Sequence, residues 1–259
     1  AQSLPALATE IVGCRRCPRL VEWRERVAKE PPRRFRGQVY WAKPLPGFGD
    51  PAARLFIVGL APAANGGNRT GRIFTGDRSG DWLYGTLYAF GFSNQPTSVH
   101  RDDGLKLTDC YISAAVRCAP PDNRPTPQEF DRCRPYLVRE LQLLKCVRVV
   151  VALGKIAFDS FLKTYQENGG TIPKPRPQFG HGSIAKLDPS TRPAPMAGGH
   201  SLGIPAGSRG CVLSERSESK DNSIILLGSY HPSQQNTFTG KLTQEMFHSV
   251  FAKARELIA

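Results

Sequence analysis

The sequence predicts a three-layer α/β/α sandwich built around a central, mostly parallel four-stranded sheet. Two observations carry this expectation. Four short apolar runs rich in β-branched residues recur along the chain, and each is nearly continuous in its apolarity, as suits strands buried on both faces. Each run is followed by a polar or glycine-rich turn and then by a stretch of helical periodicity, the rhythm of strands alternating with covering helices.

The runs are Leu55-Phe56-Ile57-Val58-Gly59, Cys110-Tyr111-Ile112-Ser113-Ala114-Ala115-Val116, Val147 to Leu153, and Ile224-Ile225-Leu226-Leu227-Gly228. Helices are expected at Ser79 to Phe90, Thr126 to Leu144, Lys155 to Tyr165 and Leu242 to Ile258. Thr126 offers an N-cap, and the proline behind it suits the first helical turn. One domain of 259 residues buries an adequate core without a second. The rhythm fails only between about 169 and 222, where stretches such as Pro173-Lys174-Pro175-Arg176-Pro177 and Ser214-Glu215-Arg216-Ser217-Glu218-Ser219-Lys220 predict a Pro/Gly/Ser-rich, partly disordered insertion.

A formal net charge of +13 gives a surface potential that attracts polyanions, which makes nucleic acid the leading partner. The run Arg33-Arg34-Phe35-Arg36 is the most concentrated part of that charge, although a solvated loop would read the same way. The start, Ala1-Gln2-Ser3-Leu4-Pro5, lacks the order of a signal peptide. The longest apolar stretch, Val147 to Leu153, is broken by Arg148 and too short to cross a bilayer. A soluble monomer with no membrane partner is expected, at a cytoplasmic, nucleoid-associated address. The seven cysteines, an odd count in a chain far larger than a disulfide-stapled module, agree with a reducing compartment.

Four of those cysteines have the spacing of a metal site. Cys14 and Cys17 are separated by two residues, and Cys118 and Cys133 follow later. Zinc and a [4Fe-4S] cluster both accept four thiolates, so spacing leaves the two open. It also leaves open that Cys118 and Cys133 are small buried hydrophobes. Cys110, Cys146 and Cys211 are read as that ordinary kind.

In open sheets of this class, ligands sit beyond the carboxyl ends of the strands, so the segments after the runs should converge. They are Ala61-Pro62-Ala63-Ala64-Asn65-Gly66-Gly67, Arg117-Cys118-Ala119-Pro120-Pro121-Asp122-Asn123 and Ser229-Tyr230-His231-Pro232-Ser233. The first is glycine- and alanine-rich, so its amides can approach a ligand. It lacks the Gly-Lys-Ser/Thr of a phosphate loop, and a plain tight turn explains it equally. Phe74 is either a core aromatic or a face on which a base stacks. Of Asp77 and Asp81, one is expected to cap the helix that begins there and the other to be free for chemistry. His231, just past a strand and held by Pro232, is the best placed of the five histidines; a structural hydrogen-bonding role also fits it.

Taken together, Gly59-Leu60-Ala61-Pro62-Ala63-Ala64-Asn65-Gly66, Arg117 to Pro125 with Cys133-Arg134-Pro135, and His231-Pro232-Ser233-Gln234-Gln235-Asn236 resemble the uracil-DNA glycosylase superfamily. The likeness is to its family 5, the iron-sulfur type B enzymes. It extends over nearly the whole chain outside the insertion. The resemblance implies a [4Fe-4S] cluster in a structural role on Cys14, Cys17, Cys118 and Cys133. It also implies a DNA repair hydrolase that flips uracil and other deaminated bases, hypoxanthine among them, out of DNA and cuts the N-glycosidic bond to leave an abasic site.

Other superfamily members carry Asp or Asn where this chain, like the type B enzymes, has Ala61. The resemblance therefore moves the catalytic carboxylate to Asp77, with Asp81 the second choice. It further implies that His231 and the amides of Ala63, Ala64, Asn65 and Gly66 stabilise the departing base, that Phe74 stacks on it, and that Asn123 meets its polar edge. Ser233, Gln234, Gln235 and Asn236 then form the loop that enters DNA. The alternative is a non-catalytic iron-sulfur DNA-binding protein of the same fold, in which Ala61 marks lost chemistry. A covalent uracil-trapping relative is a weaker third reading, because Asn68-Arg69-Thr70 has no histidine.

Overall fold

The computed structural model describes residues 2–188 and 223–259. Two helices lead the chain, α1 (Leu4–Val12) and α2 (Pro18–Lys29), followed by a single 3-10 turn at Arg33–Phe35. The strands are β1 (Phe48–Gly49), β2 (Leu55–Gly59), β3 (Cys110–Ala114), β4 (Val149–Leu153), β5 (Ile184–Leu187) and β6 (Ile224–Ser229). Helices α3 (Gly67–Thr70), α4 (Arg78–Ala89), α5 (Pro127–Leu143), α6 (Lys155–Glu167), α7 (Gln234–Phe238) and α8 (Gln244–Ile258) complete the chain.

The sheet order is β1-β3-β2-β4-β6-β5. The four apolar runs form its parallel centre, in register Ile57↔Ile112, Ile57↔Val151 and Val151↔Leu227. The expected four-stranded sheet is thus six-stranded, with antiparallel β1 and β5 on its two edges. Neither edge strand has the apolar run that marks a doubly covered strand. β1 is two residues long, and β5 keeps only Leu187 fully buried. β5 also falls within the region read as an insertion, of which residues 189–222 lie outside the described residues.

Because side chains alternate across a strand, each central strand feeds two cores. Leu55, Ile57, Ile112, Val149, Val151 and Leu227 face α4 and α8, where Leu83, Leu87, Phe247 and Phe251 meet them. Phe56, Val58, Tyr111, Val150, Ala152 and Leu226 face α5 and α6, against Leu137, Leu141, Phe158 and Phe161. The three layers follow. Helix α5 begins at a complete capping box, in which Thr126 and Glu129 satisfy each other's backbone N–H. The leading helices were not anticipated. α1 buries only Leu7 and Ile11, against Tyr136 of α5, and α2 buries Leu20, Val21 and Arg24.

Candidate active site and cysteine centre

The segments that follow β2, β3 and β6 come together at the carboxyl edge of the sheet around a cavity of about 520 Å³. Its wall includes Ala61, Ala63, Phe74, Asp77, Asn123 and His231, and Gln234 and Gln235 stand at its mouth. It adjoins a second chamber that shares Ala63, Asp77, Arg78, Asn123 and Gln234 with it.

Asp77 is the N-cap of α4, and its Oδ1 accepts the Gly80 N–H at 3.0 Å. Its other oxygen, Oδ2, lies so close to the β2 loop that a Cβ placed on Gly66 would stand 2.2 Å from it. Only glycine allows that approach. The expected division of labour between the two aspartates therefore fails: Asp77 both caps the helix and faces the cavity, while Asp81 is exposed in the first turn of α4. Burial raises the Asp77 pKa, against the Gly80 and Ser79 amides and Arg69, which lower it, and the Asp81 charge adds to the rise.

Phe74 is buried with φ of +52°, a strained conformation for a bulky side chain of the kind that concentrates at functional sites. Gly59, at the end of β2, makes room for its ring, since a Cβ there would meet the Phe74 ring at 2.6 Å. The His231 ring lies beside it, centroids 5.8 Å apart and 33° between planes. The His231 carbonyl accepts the Asn236 side-chain amide at 2.9 Å, which fixes the loop. Burial depresses the His231 pKa to about 4, so the imidazole is neutral at physiological pH and offers one N–H and one lone pair.

Four of the loop residues make bonds within the protein that the sequence did not show. The Asn236 side chain holds the His231 carbonyl, and Ser233 caps α7 by accepting the Asn236 N–H at 3.3 Å. The Gly66 amide is spent on the Ala63 carbonyl at 3.2 Å, which removes one donor from the loop. Asn65 accepts from the Tyr40 hydroxyl at 2.8 Å through its side chain. Asn123 and its neighbour Asp122 both adopt positive φ, at +56° and +53°, and both are exposed at the second chamber. Sequence reasoning missed Phe238 at the end of α7, exposed with the Arg78 guanidinium 4.3 Å above its ring. It also missed Arg24.

On the opposite side of the Ala61 loop, Cys17, Cys118 and Cys133 share one buried cluster with Leu20 and Val116, and Ala61 and Phe130 pack on it. Cys14 stands at the edge, half-buried. The four sulfurs interact electrostatically with one another. Burial raises the thiols of Cys17 and Cys133 and pushes Cys118 up to about 12. For Cys14, burial also works upward, but hydrogen bonds from Tyr136 and Arg16 outweigh it and the pKa falls. Among the described residues no group of three or more His, Cys, Asp or Glu side chains has the arrangement that holds a metal ion. Cys110 and Cys146 are buried elsewhere, and Cys211 lies outside the described residues.

Arg24 explains what these thiols are built to face. It is 2% exposed, donates Nη1 to Cys118 Sγ at 2.9 Å, and among the described residues forms no ion pair with a carboxylate. Its Nε is buried without a partner. Arg117, equally buried, is matched by Glu140 in a two-pronged pair at 3.0 and 2.6 Å. A buried guanidinium facing neutral thiols is costly, and one facing thiolates bound to metal is compensated. The donor set fits a thiolate-ligated, net anionic centre. The signal was present in the sequence as an arginine on the apolar face of a helix, four residues after Leu20.

Comparison with known proteins agrees with this architecture. The family model described as the uracil DNA glycosylase superfamily matches residues 46–255. Among similar proteins is the type-5 uracil-DNA glycosylase of Thermus thermophilus, 44% identical over 252 residues, which span 97% of this chain and 97% of that protein. The protein of the same name from Mycobacterium leprae is 43% identical over 258 residues, 99% of this chain and 96% of its own length. That of Pyrobaculum aerophilum is 41% identical over 244 residues, 94% and 88% respectively. With a family match over most of its length and near-complete alignment to relatives above 40% identity, the chain belongs to the uracil DNA glycosylase superfamily, in its type-5 branch.

Proposed function

We propose that this chain is a DNA repair glycosylase that excises uracil, and with it other deaminated bases such as hypoxanthine, leaving an abasic site. The observation that carries the reading is the carboxylate of Asp77, capped at one oxygen and pressed into the cavity at the other, opposite a neutral imidazole and a strained aromatic.

Cleavage of the bond between C1′ and the base leaves an oxocarbenium-like sugar and an anionic base, so a site needs negative charge near the sugar and donors near the base. Asp77 supplies the first. It also takes the proton of the attacking water as the water oxygen bonds to C1′ and the electron pair of the broken bond leaves with the base. His231, neutral, donates its N–H to the developing negative charge and carries no proton to give away as an acid. Phe74 stacks on the base and Asn123 meets its polar edge. Ala63 lines the same wall, and Ala64 and Asn65 line the adjoining chamber. The base is extruded from the duplex first, a step that costs least at a mispair, and Gln234 and Gln235 enter the space it leaves.

Cys14, Cys17, Cys118 and Cys133 would hold a [4Fe-4S] cluster through their thiolates. Such a group would supply a structural tie between the α1–α2 segment and the loops behind Ala61, and Arg24 would balance its charge.

The reading is tested by incubating the purified chain with a uracil-containing duplex, treating with alkali and resolving the strands. Cleavage at the uracil is expected, and with hypoxanthine in its place at a measurable rate. An intact strand from iron-loaded protein that still binds the duplex would leave the non-catalytic alternative standing.

A further inference from the structure

The basic run Arg33-Arg34-Phe35-Arg36 has no part in the chemistry above. It forms a 3-10 turn at the mouth of the second chamber, a space of about 540 Å³ to whose lining Arg34 and Phe35 contribute. Arg33, Arg34 and Arg36 are exposed, and none has a carboxylate partner among the described residues. Phe35 is gripped by two guanidiniums, Arg34 at 4.5 Å and Arg69 at 4.3 Å from its centroid. Arg69 in turn is locked to the wall of the second chamber, donating to the carbonyls of Asn65 at 2.8 Å and Gly76 at 3.1 Å, and to Gln38 at 3.0 Å. The turn is therefore fixed to the residues on either side of Asp77's approach to Gly66, not left as a loose basic arm.

We propose that this turn and the chamber behind it form a second strand-binding subsite, which receives the sugar-phosphate of the nucleotide next to the extruded one on the same strand. The inference rests on the glycosylase reading. Two features select a nucleotide of the damaged strand. The chamber opens into the base cavity through shared walls at Ala63, Asp77 and Asn123, so a strand with one residue in the cavity must pass it. The Asp77 carboxylate repels the neighbouring phosphate, and the second chamber offers it Arg34 beside Arg78, neither of which has a carboxylate partner among the described residues.

The test measures affinity against salt for a duplex carrying a tetrahydrofuran abasic analogue, which offers no base to release, and for the same damaged strand alone. Arg33→Ala with Arg34→Ala is expected to weaken binding roughly tenfold and to lower the slope of log affinity against log salt by about one or more, on both probes. Arg34→Lys, which keeps the charge, is expected to keep the slope. An unchanged slope in the double variant overturns the proposal. So does a loss confined to the duplex, which would put the turn against the opposite strand. Uracil release by the unmodified chain, measured separately, reports on the glycosylase reading, so the two failures are told apart.

Discussion

The base cavity and the cysteine cluster both adjoin the Ala61 loop, and both bury titratable groups, yet they treat charge in opposite ways. Around the cavity, Asp77 has backbone amides at its carboxylate and, among the described residues, no ion pair, and His231 is held neutral by burial. Around the cysteines, guanidiniums crowd in: Arg24 on Cys118, Arg16 beside Cys14, Arg132 beside Cys17. A carboxylate left without a counter-ion keeps its field for a charge that develops during a reaction. Thiols surrounded by cations are prepared for a permanent anion. The lesson is that burial by itself assigns no role; the polarity of the nearest neighbours does.

Four measurements break or sharpen that contrast. The largest effect is expected at the cysteines. Cys118→Ser should remove the broad visible absorbance of anaerobically purified protein and lower Tm by roughly 10 °C, the scale of about 3–4 kcal/mol in a chain of this size. Stoichiometric zinc with no iron in the unmodified chain would sink the cluster assignment and keep only the anionic-centre argument.

Next is Asp77→Asn. Asparagine is as good an N-cap as aspartate, so Tm should hold while single-turnover base release slows by roughly 10²-fold or more. Asp81→Asn should cleave at the unmodified rate, since its side chain is exposed outside the cavity. If the two results were exchanged, the cap would be merely structural.

Arg24→Gln removes the buried cation and its bond to Cys118. Reduction adds negative charge to a centre that has lost compensation, so the midpoint potential should move to more negative values and iron should be lost faster to a chelator. A potential unchanged from that of the unmodified chain would mean that Arg24 serves packing alone.

The smallest effect is in the pH profile. Asp77 must be ionised, and burial raises its pKa above the ordinary carboxylate value of 3.8, so base release should fall as pH drops through that raised value. His231 stays neutral down to about 4, so no limb should appear near the usual histidine value of 6.5. The acid limb should vanish in Asp77→Asn and persist in His231→Ala. A limb near neutrality that disappears in His231→Ala would reverse the two roles.

The parallel centre of the sheet, its covering helices α4, α5, α6 and α8, and the meeting of three loops at one edge were all legible in sequence, because doubly buried strands and amphipathic helices write their burial into periodicity. The edge strands were not. They are short, paired on one side only and half-exposed, so nothing in their composition separates them from loop. Among the site residues, local pattern could not separate Asp77 from Asp81, because both suit a helix start; the fold puts Asp77 on the cavity wall beside Gly66 and leaves Asp81 exposed. The bond from the Asn236 side chain to the His231 carbonyl was unreadable too, because a polar residue in a short turn looks the same whether it meets solvent or a backbone carbonyl.

The sequence by itself determined the layer order, the convergent edge and the family to which the chain belongs, since each rests on local pattern or on motifs read jointly. Tertiary structure alone decided which face each charge meets. Arg24 acquires its meaning from Cys118, ninety-four positions away, and Phe35 acquires its own from Arg69 and the chamber beside Asp77. Electrostatic roles depend on distance and burial in three dimensions, and neither quantity is carried by the identity of a residue or its neighbours along the chain.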